Sequence, residues 1–289
     1  MTEEDAFPSW RSYREFQREV MQDWRYLHRS SARAFLDRLA RQAHDRVSGV
    51  KEGHGFCRAQ VAHGFRYEEM IDEEVEAAAP PSRMRPLPRR ATEGRLNPKG
   101  IPCLYVATDK HTAVAEVRPW IGSKVTLAYF RTERPLRLVD CTRDMESHIF
   151  YFEGEPSAEA RNTAVWADLG RALQEPVLRD DAIAEYAPTQ VIGELFRSEG
   201  FDGVAYRTAF GRDADRFSVA LFDLAAARQT YAELLEIRDV TFNIQDGGDS
   251  YEVRPRDDGG VDLMRTVITD IRPIPKPGEG APDEEPDGA

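Results

Sequence analysis

The sequence predicts an α+β fold, with helices gathered at the N-terminus, strands and helices mixed in the middle and strands towards the C-terminus. Three observations predict it. Apolar residues recur at three- and four-residue spacing from Trp10 to Leu27, the pattern of an amphipathic helix. From Ile101 to Phe130, a brief apolar run, a cappable stretch and an alternating stretch read as strand, helix, strand. Beyond Phe222, Leu234 to Ile244, Tyr251 to Arg254 and Val261 to Ile271 read as strands, the last two joined by the turn Asp257-Asp258-Gly259-Gly260. The expected organisation is an N-terminal helical extension (1–52), a central domain (53–225), a β-rich appendage packed on the core (226–272) and an acidic tail (273–289). The tail is rich in Pro, Gly and acids and nearly devoid of apolar residues, which predicts disorder.

Composition narrows the function. With 289 residues and 41% hydrophobic content the chain can build one large core. A net charge of −12 argues against a nucleic-acid groove as the main purpose. Cys57, Cys103 and Cys141 form no CxxC and leave an odd thiol, which suits a reducing compartment. The six histidines make no HExxH and no zinc spacing, so no metal is expected. No apolar run reaches membrane-spanning length and the first residues lack the pattern of a secretory signal, so a cytoplasmic protein is expected.

Taken in order, Ser9 to Val47 reads as two helices. Trp10, Tyr13, Phe16, Val20, Trp24 and Leu27 make one apolar face; Ser30-Ser31 can cap a second helix that buries Phe35, Leu36, Leu39 and Ala43. These aromatics are core or docking surface. Gly55 to Val61 is a strand carrying Arg58. The acidic run Glu68 to Glu76 gives way to a break at Ala78-Ala79-Pro80-Pro81. Between Ser82 and Gly100, Arg83, Arg85, Arg89, Arg90, Arg95 and Lys99 face the single acid Glu93. Such a concentration suits a polyanion, with a dinucleotide pyrophosphate the small candidate; a solvated loop or a docking patch fits it too. Ile101 to Ala107 is a strand, Thr108 or Asp109 caps a helix to about Val117, and Pro119 stops it. Lys124 to Arg131 and Leu136 to Asp140 are strands. Ser157 to about Leu178 is a helix, and a further helix ends at Gly200, a good C′ residue. Phe201 to Tyr206 and Phe217 to Phe222 are neighbouring strands.

The chain is organised around Gly94-Arg95-Leu96-Asn97-Pro98-Lys99-Gly100, then Leu104-Tyr105, then Thr112-Ala113-Val114-Ala115-Glu116-Val117-Arg118-Pro119. An Arg on a Gly/Pro loop, a Tyr ending a strand and a Glu on a short helix suit a negatively charged, flat, ribose-bearing ligand. Spacing alone also reads Glu116 as an ion-pair partner of Arg118 or Lys110, Tyr105 as core and Arg95 as solvent-exposed. The pattern G-R-x-N-x-x-G, L-Y, T-A-x-A-E-x-R-P resembles the signature of the RES domain family, densest over about Phe56 to Phe222. The later phrase Tyr186…Thr189-Gln190…Gly200-Phe201-Asp202-Gly203…Tyr206 is similar to that family as well.

The resemblance implies an ADP-ribosyltransferase-like core that consumes NAD, many members being toxins of toxin–antitoxin pairs. It implies NAD as substrate, inorganic phosphate or water as acceptor, no other cofactor, and a cognate antitoxin as partner. In such a site the carboxylate of Glu116 stabilises the oxocarbenium-like ribose. Arg95 pairs with the pyrophosphate, and Tyr105 packs on the nicotinamide or its ribose. Arg58 and Asn97 match positions of the family pattern; a strand-edge salt bridge is the other reading of Arg58. The family's Ser, expected in a Y-x-S-like context after the late strand, is replaced by Thr208, with Arg207 beside it as a further phosphate contact. Ser218, where the family often has Asn, is a second hydroxyl able to reach ribose or phosphate. Two alternatives stay open: ADP-ribose transfer to a protein, and a weakened nucleotide- or partner-binding module, favoured by Thr208-Ala209.

Overall fold

The computed structural model describes residues 5–145, 154–175, 183–210, 216–242, 244, 251–256 and 259–265. The chain divides into two units, Met1–Val240 and Thr241–Ala289.

The first unit is α+β, built on an eight-stranded sheet. Its strands are β1 (Val47–Val50), β2 (Gly55–Gln60), β5 (Leu104–Ala107), β6 (Lys124–Thr132), β7 (Leu136–Asp140), β8 (Gly203–Arg207), β9 (Phe217–Leu221) and β10 (Ala227–Glu236). They lie in the order β1-β7-β8-β9-β5-β2-β6-β10. β7 and β8 pair in parallel, and every other neighbouring pair is antiparallel. A separate two-stranded hairpin is formed by β3 (Gly64–Glu68) and β4 (Glu73–Ala77). The helices are α1 (Ser12–Arg18), α2 (Ser30–Ala43), α3 (Lys110–Glu116), α4 (Ala158–Gln174) and α5 (Ala187–Ser198).

The central strands are buried on both faces, and pleat alternation sorts their side chains. Val204, Tyr206, Ala220 and Cys103 face a core shared with α1, α2, α4 and α5, including Phe7, Phe16, Leu39, Trp166 and Phe196. Leu104, Val106, Ala205, Val219 and Leu221 face a second core with Phe56, Met84 and Phe130. The N-terminal helices are tied to α4 by more than apolar contact. Gln42 donates to Asn162 Oδ1 (3.1 Å) and accepts from Trp166 Nε1 (2.9 Å), while Asn162 Oδ1 also takes the Phe7 N–H (3.0 Å). β1 lies before the boundary expected at residue 53, yet it pairs with β7 in the main sheet.

Three local expectations are corrected. Trp24 and Leu27 are exposed rather than continuing the apolar face, because α1 ends in a π-turn over Glu19–Asp23 and Trp24 is extended. Neither Ser30 nor Ser31 caps α2: Arg29 is the N-cap and no side chain takes the first-turn N–H groups, while Glu19 accepts from the Arg29 N–H (3.2 Å) and the Ser31 hydroxyl (2.8 Å). The strand expected at Leu234–Ile244 is instead Ala227–Glu236, an edge strand of the main sheet paired with β6.

The second unit's described part is the antiparallel hairpin β11 (Tyr251–Pro255) and β12 (Val261–Arg265). Asp257, Asp258 and the tail from 273 lie outside the described residues.

Candidate active site

The Arg95 loop is tied down from three sides. Gly94 and Asn97 exchange backbone hydrogen bonds (3.0 and 3.4 Å), a turn that leaves Arg95 at its tip. From β5, the Tyr105 hydroxyl accepts the Leu96 N–H (3.0 Å) and donates to Asn97 Oδ1 (2.8 Å). Asn97 Nδ2 in turn donates to the carbonyls of Thr92, Pro98 and Ile101. From α5, Gln190 Nε2 donates to the Gly94 carbonyl (3.0 Å). Two glycines allow this closeness. A Cβ on Gly94 would sit 2.7 Å from the Tyr105 hydroxyl, and one on Gly193 would sit 2.7 Å from the Leu96 carbonyl. The Arg95 guanidinium donates to the carbonyl of Glu175 at the end of α4.

Glu116 is the last residue of α3, a helix started by Asp109. The Asp109 carboxylate accepts the His111 and Thr112 N–H groups (2.9 and 3.0 Å) and the Thr112 hydroxyl (2.6 Å). Its pKa lies below the usual carboxylate range: burial pushes it up, but these hydrogen bonds outweigh burial together, with Arg216 helping. At the other end Glu116 Oε1 accepts from the Ser218 hydroxyl (3.0 Å). Ser218 on β9 is the cross-strand partner of Tyr206 on β8, and their side chains are within hydrogen-bonding reach. Burial, then the adjacent Glu116 carboxylate, push the Tyr206 phenol up, while Arg95 opposes them. Burial likewise holds the Tyr105 phenol well above its ordinary range. Both phenols are therefore neutral hydrogen-bonding groups.

These elements enclose a cavity of about 440 Å³, within the range of small-molecule sites. Arg58, Arg95, Tyr105, Glu116, Tyr206 and Ser218 all line it, with Arg118. Arg58 carries the least ordinary electrostatics. Its Nη1 donates to the Tyr105 carbonyl (2.8 Å), but its Nε is buried without a partner. Among the described residues no carboxylate pairs with Arg58, and burial lowers its pKa. An unpaired guanidinium in such a place is costly to the empty protein and favourable to an anion. Arg118 lies over the Phe210 ring (5.3 Å) and adopts a left-handed backbone (φ 46°) just past α3. Among the described residues, no group of three or more His, Cys, Asp or Glu is placed to hold a metal ion.

A family model described as the RES domain matches residues 66–243. The chain belongs to the RES domain family. No curated protein matches it. A chain of the crystal structure of the M. tuberculosis MbcT–MbcA toxin–antitoxin complex is similar at 14% identity and a TM-score of 0.37, covering 68% of this chain and 92% of that one.

Of the residues expected in the site, this RES domain brings Arg58, Arg95, Asn97, Tyr105, Glu116 and Ser218 to one cavity. Neither Thr208 nor Arg207 is among its described lining residues. Thr208 lies past the end of β8, where its hydroxyl accepts the Phe210 N–H (3.0 Å) and its carbonyl accepts from Gln174. Arg207, next to the cavity-facing Tyr206, points to the opposite face and donates from Nε to the Thr142 carbonyl (3.0 Å). The hydroxyl that reaches Glu116 therefore comes from β9, not from the end of β8. Asn97 organises the loop: its amide is fully engaged there. Glu116 forms no ion pair with Lys110 or Arg118; its partner is Ser218. Of the six cations between Ser82 and Gly100, only Arg95 lines the cavity, while Arg85 is bound to the carbonyls of Leu224 and Ala227. Tyr206, Tyr186 and Arg118 line it as well. All three stand in the family-like phrases, and that was the signal available for them.

Proposed function

We propose that this RES domain protein cleaves the bond between nicotinamide and ribose in NAD. The supporting observation is a single cavity holding the guanidinium groups of Arg58 and Arg95, neither paired with a carboxylate among the described residues, opposite the Ser218-held carboxylate of Glu116. The two cations suit the pyrophosphate, Arg95 by the guanidinium edge that the Glu175 carbonyl does not take and Arg58 as a buried cation in the wall.

The glycosidic C–N bond breaks with its electron pair passing to the nicotinamide nitrogen, so the leaving group departs neutral. Positive charge left on the ribose is stabilised by Glu116, whose other oxygen stays free for a ribose hydroxyl. A phosphate oxygen or water then forms the new C–O bond, giving ADP-ribose 1″-phosphate or ADP-ribose; with water, one proton passes to solvent. Because the hydroxyl on Glu116 is that of Ser218, the Thr208-Ala209 departure gives no reason to expect lost turnover. NAD loss in a cell would make the protein a cytoplasmic toxin held in check by an antitoxin.

Purified protein incubated with NAD should release nicotinamide, faster when phosphate is added. Radiolabel from the adenylate moiety of NAD should stay in small molecules; its capture on protein would move the reading to ADP-ribose transfer. Intact NAD after long incubation with folded protein overturns the proposal.

A further inference from the structure

Two exposed surfaces of this chain complement each other. The β3–β4 hairpin forms a two-stranded sheet of its own, joined to β6 by the Glu76–Lys124 ion pair (2.9 Å), and two strands alone are marginally stable in water. Its apolar residues are turned outward: Phe65, Tyr67 and Ile71 are exposed, and Met70 at the tip is 92% exposed. Around them lie Glu69, Asp72, Glu73 and Glu74, all exposed and, among the described residues, none in an ion pair. Glu68 and Glu73 face each other directly across the strands, which disfavours the free hairpin. The second surface is the stretch from Arg83 to Ile101. Its Arg83, Arg89, Arg90 and Lys99 are exposed and likewise without an ion pair among the described residues, and Leu87 and Ile101 beside them are exposed.

We infer that the β3–β4 hairpin of one copy docks on the Arg83–Ile101 loop of a second copy of this chain. Apolar side chains meet at the centre, and four acids of one surface meet four bases of the other. A second copy is the occupant because this chain itself carries the surface that matches the hairpin in charge and apolar character. The net charge of −12 opposes approach at long range, so the contact forms with rising concentration. Pro86 and Ala91 to Arg95 of this same loop line the cavity, so docking bears on the segment that carries Arg95.

The test is the mass of the full chain in solution over a wide concentration range, by light scattering or sedimentation. The wild type should rise from 32.8 kDa towards at least twice that mass. E73K/E74K alone and R89E/R90E alone should each stay monomeric, because like charges then meet. An equimolar mixture of the two should associate again, since every contact across the mixed pair is complementary; this also shows that both variants fold. A wild type that stays monomeric throughout, variants that associate like the wild type, or a mixture that stays monomeric would each overturn the inference. None of these readings depends on NAD cleavage.

Discussion

Tyr105→Phe separates two roles of one residue. The ring that faces the cavity is retained, and what is lost is the hydroxyl that accepts from the Leu96 N–H and donates to Asn97 Oδ1. Leu96 and Asn97 are both buried, so water does not readily replace the lost partner. Leaving one buried donor and one buried acceptor unsatisfied costs about 2–4 kcal/mol if the loop stays in place. If the loop shifts to recover those bonds, the stability loss shrinks but Arg95 leaves its position, and kcat/KM falls by roughly 100-fold. The two effects trade against each other, so both must be measured: the urea midpoint of unfolding and nicotinamide release. Gly94→Ala disturbs the same contact from the other side, its Cβ meeting the Tyr105 hydroxyl at 2.7 Å, and should act in the same direction. A Tyr105→Phe protein with wild-type stability and wild-type kcat/KM would refute the reasoning that the phenol holds the loop.

Other perturbations follow from the same geometry. Ser218→Ala should lower kcat by roughly 10–100-fold, the worth of a hydrogen bond to a charged group, whereas Thr208→Ala should leave steady-state cleavage within about 2-fold. Arg58→Met removes a buried cation that lacks a carboxylate partner. The ligand-free protein should melt no lower than wild type, while NAD should lose its ability to raise the melting temperature. Burial pushes the thiols of Cys103 and Cys141 up from 9.0 to about 12. The unfolded chain releases these protons near pH 9 and the folded one near pH 12. Their contribution is therefore fully present below pH 9 and is lost as pH rises towards 12, by up to about 1.4 kcal/mol per pH unit for each thiol. Urea unfolding between those pH values should show a shallower decline for Cys141→Ala than for wild type.

What could be read from the chain alone was local. The Asp109 cap, the strand carrying Arg58 and the short helix ending at Glu116 depend on neighbours within a few residues, and they are found where patterning puts them. The apolar face of α1 fails at Trp24 for a reason periodicity does not carry, a π-turn that ends the helix early. The choice between Thr208 and Ser218 was not legible, because it depends on cross-strand register: Ser218 meets Glu116 from 102 residues away and stands opposite Tyr206. The same holds for Gln190, whose bond to Gly94 spans 96 residues. The basic stretch misled in another way. Charge density is a property of composition, while cavity lining depends on where the loop turns, and the Gly94–Asn97 turn brings only Arg95 of the six cations to the cavity.

The central claim is that the cavity between the Arg95 loop, α3 and β9 seats NAD, and calorimetric titration of Glu116→Gln protein with NAD tests it most directly, since binding is then read without turnover. Saturable binding at one site per chain, abolished by adding Arg95→Ala, is the predicted result. No heat of binding, or the same affinity with and without the Arg95 guanidinium, would contradict the account.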